Sequence, residues 1–113
     1  MNFKTVQHGS VTVIQLQGNL MGGPDASTLN ANLHTLIEEG KKEVVLDMSG
    51  VQFINSSGLG LLIGGVTTMK NAGGGLRNAG ASEKIVSLIK ITKLASVFKN
   101  YPSVETAVAS FKK

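Results

Sequence analysis

The chain has 113 residues, which is enough for one domain with a single hydrophobic core but not for two. Hydrophobic residues make up 42% and charged residues 16% of the chain, as in an ordinary globular protein. Cysteine is absent, so disulfides, thiolate metal sites and cysteine nucleophiles are excluded. The net charge of +4 comes from scattered or terminal lysines, and with one tyrosine and no tryptophan it does not favour nucleic-acid binding.

The sequence does not carry the signals of an exported or membrane-inserted protein. Its first residues contain no charged-then-apolar leader and no small-residue cleavage site. Residues 51–69 are uncharged and long enough to raise the question of a membrane helix, but they include several polar side chains and four glycines. A buried amphipathic helix explains this segment better. We therefore expect a cytoplasmic protein without membrane insertion.

The first part of the chain contains two predicted strands and a predicted helix. Residues 3–18 hold two segments of alternating polarity on either side of Gly9-Ser10, which predicts a β-hairpin. Gly22-Gly23-Pro24-Asp25 then predicts a helix start, with Pro24 in the first turn, and Gly40 is expected to end this helix. The apolar stripe of the helix is Ala26, Leu29, Leu33, Leu36 and Ile37.

The middle of the chain contains a buried strand followed by a helix. Val44-Val45-Leu46 is a continuous apolar run, and Asp47-Met48-Ser49-Gly50 predicts a turn into which Asp47 is hydrogen-bonded. The helix that follows has apolar residues at helical spacing, namely Leu59, Leu62, Ile63, Val66 and Met69. Ser56 or Ser57 is the expected N-cap, with Ser57 otherwise hydrogen-bonded inside the first turn. This helix end tolerates an anion, so phosphorylation there need not unfold the helix.

The last part of the chain continues the alternation of strands and helices. Gly73-Gly74-Gly75 predicts a turn, residues 76–80 a weak strand, and residues 82–91 a helix capped by a serine. A last strand is predicted over 96–101, and Pro102-Ser103 then opens a helix whose inner face is Val104, Ala107, Val108 and Phe111. Strands that alternate with helices predict a single α/β domain, in which helices cover one sheet.

Residues 46–62, LDMSGVQFINSSGLGLL, resemble the signature of the STAS domain, specifically that of the anti-sigma factor antagonists. The matching positions are Asp47, Ser49, Val51, Phe53, Ile54, Ser56, Ser57, Gly58, Leu59, Gly60 and Leu62. The resemblance implies one STAS domain over residues 1–113, with a mixed β-sheet and helices packed mainly on one face. Carried over from the family motif, Ser56 is the serine that a partner kinase phosphorylates. Asn55 departs from the motif, because the family usually has aspartate there.

The resemblance implies a protein-binding function without catalysis. Unphosphorylated family members bind an anti-sigma factor with serine kinase activity and so release the sigma factor. Phosphorylation at Ser56 is expected to prevent this binding, and a serine phosphatase to restore it. The partner-binding residues that the motif implies are Asn55, Ser56, Ser57, Gly58, Leu59 and Leu62. No cofactor or metal is expected, and the sequence leaves self-association open.

Two alternatives compete with this interpretation. One is a constitutive STAS interaction subunit of a larger signalling or transport complex, in which Ser56 is a structural helix cap. The other is a catalytic serine protein. Ser56 lacks the G-x-S-x-G elbow and has no histidine nearby in the sequence, and neither His8 nor His34 has a recognisable triad context, so an enzyme is not expected. His34 lies off the apolar stripe of its helix and is expected to face solvent.

Overall fold

Strands and helices alternate along the chain after an initial hairpin. The computed structural model describes residues 2–21, 24–91 and 100–111. The elements in chain order are β1 (Asn2–His8), β2 (Val11–Leu20), α1 (Pro24–Glu38), β3 (Glu43–Ile54), α2 (Ser56–Asn71), β4 (Gly75–Ala79), α3 (Glu83–Ile91), β5 (Asn100–Tyr101) and α4 (Val104–Ala109). This order confirms the predicted hairpin, the helix that starts at Pro24, and the α/β class.

The five described strands form one mixed sheet with the order β1-β2-β3-β4-β5. β1 and β2 pair antiparallel, with His8 opposite Val11 across the turn. Gly9 in this turn has a φ of 62°, a conformation that favours glycine. The other three strand pairs are parallel, because α1, α2 and α3 each lie between consecutive strands and return the chain to the same end of the sheet.

The two faces of the sheet are covered unequally. Side chains alternate along β3, so Val44 and Leu46 enter one core while Val45 enters the other. The larger core lies between the sheet and α1, α2 and α3, and its fully buried helix side chains include Leu29, Leu33, Leu62, Met69 and Ile85. α4 contributes Ala107 and Val108 to the smaller core on the opposite face. This arrangement confirms that helices pack mainly on one face.

β3 is longer than predicted, and the turn expected at Asp47-Met48-Ser49-Gly50 is wrong. These residues continue the strand, which ends at Ile54. The register with β2 shifts twice, and each shift adds one residue to β3. Irregularities of this kind bend a strand without ending it. Asp47 nevertheless has the predicted local bonds, since its Oδ1 accepts from the N–H of Ser49 at 3.0 Å and from the Ser49 hydroxyl at 2.7 Å.

Glycines end α1 and α2 where the sequence predicts it. Gly40 has a φ of 79° and Gly73 a φ of 87°. The N–H of Gly40 donates to the Ile37 carbonyl at 3.0 Å, and the N–H of Lys41 donates to the Leu36 carbonyl at 2.8 Å. The same pattern of two hydrogen bonds follows α2. This arrangement satisfies carbonyl groups that the end of a helix would otherwise leave unpaired.

The uncharged segment 51–69 is divided between two elements. Its first four residues complete β3, and its last fourteen form most of α2, which spans 16 residues. Among the helices that the structure describes, none is long and apolar enough to cross a membrane.

The last part of the chain follows the prediction where the structure describes it. The weak strand is β4, Ser82 precedes α3, and Ser103 is the N-cap of α4. Of the strand predicted over 96–101, Asn100 and Tyr101 form β5, and residues 96–99 lie outside the described residues. The side chain of Ala26, predicted for the α1 stripe, also lies outside them.

Candidate functional site

The link between β3 and α2 is a helix start that is capped by an asparagine. Asn55 has an extended backbone, with φ −101° and ψ −179°. Its Oδ1 accepts from the N–H of Gly58 at 2.8 Å, and its carbonyl accepts from the N–H of Leu59 at 2.9 Å. The prediction that Ser56 or Ser57 is the N-cap is therefore wrong. The cap must be the last residue with an extended backbone, and asparagine serves there as well as serine does.

Ser56 and Ser57 are the first two residues of α2, and both are exposed. The side chain of Asn55 satisfies the first-turn donor that a capping serine would have taken. Within residues 2–21, 24–91 and 100–111, neither serine hydroxyl makes a hydrogen bond, so the local bond predicted for Ser57 is wrong. The Ser56 hydroxyl is thus free to be approached from solvent.

The electrostatic environment at the start of α2 favours a negative charge. Its first turn contains no acidic residue, and its cap is a neutral amide. The first turns of α3 and α4, by contrast, contain Glu83 and Glu105. Unpaired N–H groups and the positive end of the helix dipole stabilise an anion at a helix start. A charge added at Ser56 would therefore meet attraction from the helix and no acidic side chain of the first turn.

The six residues that the motif implies for partner binding divide into accessible and buried groups. Asn55 is half-buried and the two serines are exposed. Gly58 is buried, and the exposed fractions of Leu59 and Leu62 are 8% and 0%. Gly58, Leu59 and Leu62 therefore offer little or no surface to a partner in this structure, whereas residues 55–57 are accessible. A partner-binding role for the six residues stays a prediction.

Gly58 has a structural reason to be glycine. A Cβ at this position would collide with the carbonyl oxygen of Leu20 and would lie 2.8 Å from its carbonyl carbon. The same Cβ would lie 3.0 Å from Cγ1 of Ile54. The Leu20 carbonyl also accepts from the N–H of Asn55 at 3.4 Å, so the start of α2 lies directly against the end of β2. Close packing of backbone on backbone requires glycine here.

Two exposed apolar side chains flank the start of α2 and are missing from the predicted partner-binding set. The exposed fractions of Met21 and Phe53 are 44% and 39%. The β2–β3 register pairs Leu20 with Ile54, and Met21 and Asn55 are the residues that follow them. Nζ of Lys84, on α3, lies 5.6 Å from the centroid of the Phe53 ring, within cation–π range. Phe53 alternates with the buried Ile54 along β3, so its exposure could have been predicted from the sequence. No local signal predicts that Lys84 lies near it.

Comparison with known proteins identifies the family. The family model described as the STAS domain matches residues 2–107. This chain belongs to the STAS domain family. BtrV of Bordetella bronchiseptica, named as a candidate anti-sigma factor antagonist, is 28% identical to it over 97 residues, which cover 86% of this STAS domain and 83% of BtrV.

Solved structures share the fold of this STAS domain. A candidate anti-sigma factor antagonist from Thermotoga maritima superposes with a TM-score of 0.87 at 19% identity, covering 98% of this chain and 95% of that one. The Bacillus protein SpoIIAA in its phosphorylated form superposes with a TM-score of 0.74 at 19% identity, covering 98% of this chain and 100% of that one. The predicted fold, a mixed sheet with helices mainly on one face, is thus the STAS fold.

The two histidines of this STAS domain lie at the β1–β2 turn and on α1. His8 lies at the β1–β2 turn, opposite Val11, which is the end of the sheet away from Ser56. His34 is exposed on α1, as predicted. Among the described residues, no group of three or more His, Asp or Glu side chains is placed to hold a metal ion. His8 is therefore too far away to act as a base for Ser56.

Proposed function

We propose that this STAS domain is an anti-sigma factor antagonist that binds its partner without catalysis and is controlled by phosphorylation at Ser56. In its unphosphorylated form it binds an anti-sigma factor with serine kinase activity, which releases the sigma factor. The observation that carries the proposal is the exposed Ser56 hydroxyl, which Asn55 frees from capping at a helix start without acidic residues. The names of BtrV and the Thermotoga protein support the partner class. The phosphorylated form of SpoIIAA supports the modification.

The fold is suited to survive this modification. Phosphorylation adds a charge of about −1.5 to −2 at neutral pH. The dipole and the free N–H groups of the first turn of α2 stabilise that charge. The bond from the N–H of Gly58 to Asn55 does not involve the Ser56 hydroxyl, so the cap stays in place when the hydroxyl is esterified. Control is therefore exerted on partner binding and not on folding.

The surface around Ser56 explains why a phosphate would weaken binding. A partner that contacts the exposed side chains of Met21 and Phe53 would lie over the start of α2. A partner surface that is complementary to the neutral Ser56 hydroxyl would then meet a bulky dianion. A loss of about 3 kcal/mol would reduce affinity roughly 100-fold. A serine phosphatase would remove the phosphate and restore binding. Because an anti-sigma factor acts in the cytoplasm, we propose a cytoplasmic location for this protein.

Asn55 gives this chain a variant of the family's switch. An aspartate at this position would place a carboxylate one residue before the phosphate, and two like charges so close together repel each other. The neutral amide of Asn55 keeps the capping bond to Gly58 at 2.8 Å without that repulsion. We therefore propose that the kinase that phosphorylates this protein accepts a neutral residue before its target serine.

The experiment that tests the proposal compares Ser56→Ala and Ser56→Asp with the wild type. The anti-sigma partner is first recovered from native extract and identified by mass spectrometry, and its affinity for each purified variant is then measured by calorimetry. The wild type and Ser56→Ala are expected to bind equally, and Ser56→Asp about 100-fold more weakly. After incubation with the kinase and ATP, phosphate is expected on Ser56 and to be absent from Ser56→Ala.

Matched variants separate a local effect from a general one. Thr67→Asp adds the same charge on an exposed position of α2 three turns farther along, and it is expected to bind like the wild type. Equal binding by Ser56→Ala, Ser56→Asp and the wild type would instead indicate a constitutive STAS interaction subunit. The structural cap that this alternative assigns to Ser56 is excluded, because Asn55 is the cap. A hydrolase activity lost in Ser56→Ala would indicate a catalytic serine.

A further inference from the structure

A second polar site lies at the opposite end of the sheet from Ser56. A cavity of about 420 Å³ opens where β3 and β4 begin, and its walls include Lys42, Glu43, Arg77, Phe111 and the glycines 73–75. β3 begins in this wall and ends beside the start of α2. The two sites therefore lie at opposite ends of a strand of 12 residues. The cavity is therefore separate from the proposed switch.

Arg77 is the residue in this wall whose hydrogen bonding is incomplete. Its Nη1 atom is buried, and it has no hydrogen-bond partner within the described residues. Its Cζ atom lies 3.7 Å from the centroid of the Phe111 ring, which attracts the cation but offers no acceptor oxygen. A guanidinium group has five N–H donors, and an unpaired donor on a buried charged group is costly. Because Nη1 has almost no accessible surface, an acceptor brought by a ligand would pair with it only after the Arg77 side chain shifts toward the cavity.

The wall of the cavity carries more positive than negative charge. Lys42 is exposed, and in the described part of the chain neither Lys42 nor Arg77 forms an ion pair within 4 Å. The carboxylate in the wall is that of Glu43, whose Oε1 accepts from the Ser10 hydroxyl at 3.3 Å. Two cations without an ionic partner thus line the cavity beside one carboxylate that already has a hydrogen bond.

The three glycines give the cavity space but no hydrogen-bond donors. The N–H groups of residues 73–75 already donate to carbonyl groups earlier in the chain. A Cβ on Gly75 would lie 3.3 Å from the ring of Phe111 and 3.8 Å from Nη1 of Arg77. Glycine at this position therefore preserves the stack of Arg77 on Phe111. Any anion would be held by the side-chain cations and not by a backbone nest.

We propose that this cavity binds a small phosphate-bearing anion through Arg77 and Lys42. The planar guanidinium matches two phosphate oxygens at once, and the lysine adds a compact positive charge. Stacking on Phe111 orients the guanidinium before the ligand arrives. The cavity volume falls in the range of roughly 300–1,000 Å³ that is typical of small-molecule sites, so a phosphomonoester of a small metabolite fits.

The test is an NMR titration of the full chain with inorganic phosphate and with glycerol phosphate at constant ionic strength. The amide of Gly75 and the Nε–H of Arg77 are expected to shift saturably. Arg77→Gln is expected to abolish the shift at Gly75, and Lys42→Gln to weaken binding at least about fivefold. Lys42 is exposed, so Lys42→Gln should fold even if Arg77→Gln does not. Lys41→Gln is the matched control, since Lys41 lies outside the cavity wall and pairs with Glu39 at 3.6 Å.

Several results would overturn the proposal. One is a linear, unsaturated response, or an equal response to chloride. Another is a set of shifts confined to Ser57 and Gly58, which would report anion binding at the start of α2. Equal effects of Lys42→Gln and Lys41→Gln would show general charge screening. Succinate binding as tightly as phosphate would show that the site does not select phosphate. Ser56→Ala should leave the titration unchanged, so this inference can fail or hold independently of the switch.

Discussion

The starts of α2 and α4 both contain serine, but they use it differently. At α4, the Oγ of Ser103 accepts from the N–H of Thr106 at 3.1 Å and lies 2.7 Å from the Thr106 hydroxyl oxygen. At α2, the amide of Asn55 takes the capping role, and the hydroxyl of Ser56 remains exposed. A capping serine is committed to the structure of its own helix. A serine that follows a capping asparagine is available for chemical modification.

The two helix starts also differ in charge and in packing. Glu105 lies in the first turn of α4, where it interacts favourably with the helix dipole, whereas the first turn of α2 has no acidic residue. The first turn of α2 is instead held by backbone contact between Gly58 and Leu20. α2 is thus stabilised by a cap and a close contact that leave its positive end open. Substitutions at and near the two helix starts test this difference.

Gly58→Ala should remove the contact that holds the start of α2 in place. The added Cβ would overlap the carbonyl of Leu20, and because this group is backbone it cannot move aside as a flexible side chain could. We expect a loss of about 3 kcal/mol in the free energy of unfolding, at the upper end of overpacking effects. Denaturation in urea, monitored by circular dichroism, measures the loss.

Gly60→Ala is the matched control for this substitution. It lies on the same helix, it is exposed, and a Cβ there would meet nothing within 4 Å. Alanine is the better helix former, so we expect a gain of about 0.5–1 kcal/mol. Equal losses from the two substitutions would mean that α2 does not depend on close approach to β2.

Phe53→Ala should weaken partner binding more than it weakens folding. Phe53 is an exposed aromatic residue beside the proposed docking surface, and aromatic side chains are enriched in interfaces. We expect affinity for the anti-sigma partner to fall about tenfold, with a change of less than about 1 kcal/mol in stability. Ile91→Ala, at an exposed apolar position at the end of α3, is the control and should bind normally.

Alanine substitutions at the two helix starts should separate capping residues from free ones. Ser103→Ala and Asn55→Ala each remove a cap, so each should cost about 1 kcal/mol of unfolding free energy. Ser56→Ala removes a hydroxyl that makes no bond within the described residues, and its effect should stay within about 0.5 kcal/mol. A loss at Ser56 equal to that at Ser103 would contradict the difference between the two starts. Thermal denaturation of the three variants measures these changes in stability.

Asn55→Asp should reveal what the neutral cap contributes. The carboxylate can still accept from the N–H of Gly58, so the unmodified variant should be as stable as the wild type or slightly more so. After phosphorylation of Ser56, repulsion between the two anions should lower stability relative to the phosphorylated wild type by about 0.5 kcal/mol, and salt should reduce the difference. Urea denaturation of phosphorylated and unmodified forms at low and high salt provides the measurement. Equal stability of the phosphorylated variant and the phosphorylated wild type would show that the charge at residue 55 does not interact with the phosphate.

Local patterns predicted the order of elements but not the length of β3. Asp47-Met48-Ser49-Gly50 has the composition of a turn, yet Met48 is fully buried, and Asp47 and Gly50 pair with β2 on either side of a register shift. Turn propensity is a local quantity, whereas strand pairing depends on partners 32 to 34 residues away in sequence. The same limit applies to the cap of α2, since asparagine and serine are both good caps. Which of them serves is decided by where the extended backbone ends.

Local patterns were enough to predict the α/β class, the hairpin, the helix ends at glycine and the position of the serine pair, because periodicity, turn residues and motif spacing are local properties. Three features required the packed structure: Asn55 caps α2, Gly58 packs against the backbone of Leu20, and Lys84 lies over the ring of Phe53. The packed structure also decided that Arg77 stacks on Phe111 beside Lys42. The physical reason is that these features arise where β2, β4 and α4 pack against other elements, and packing depends on residues that are distant in the chain.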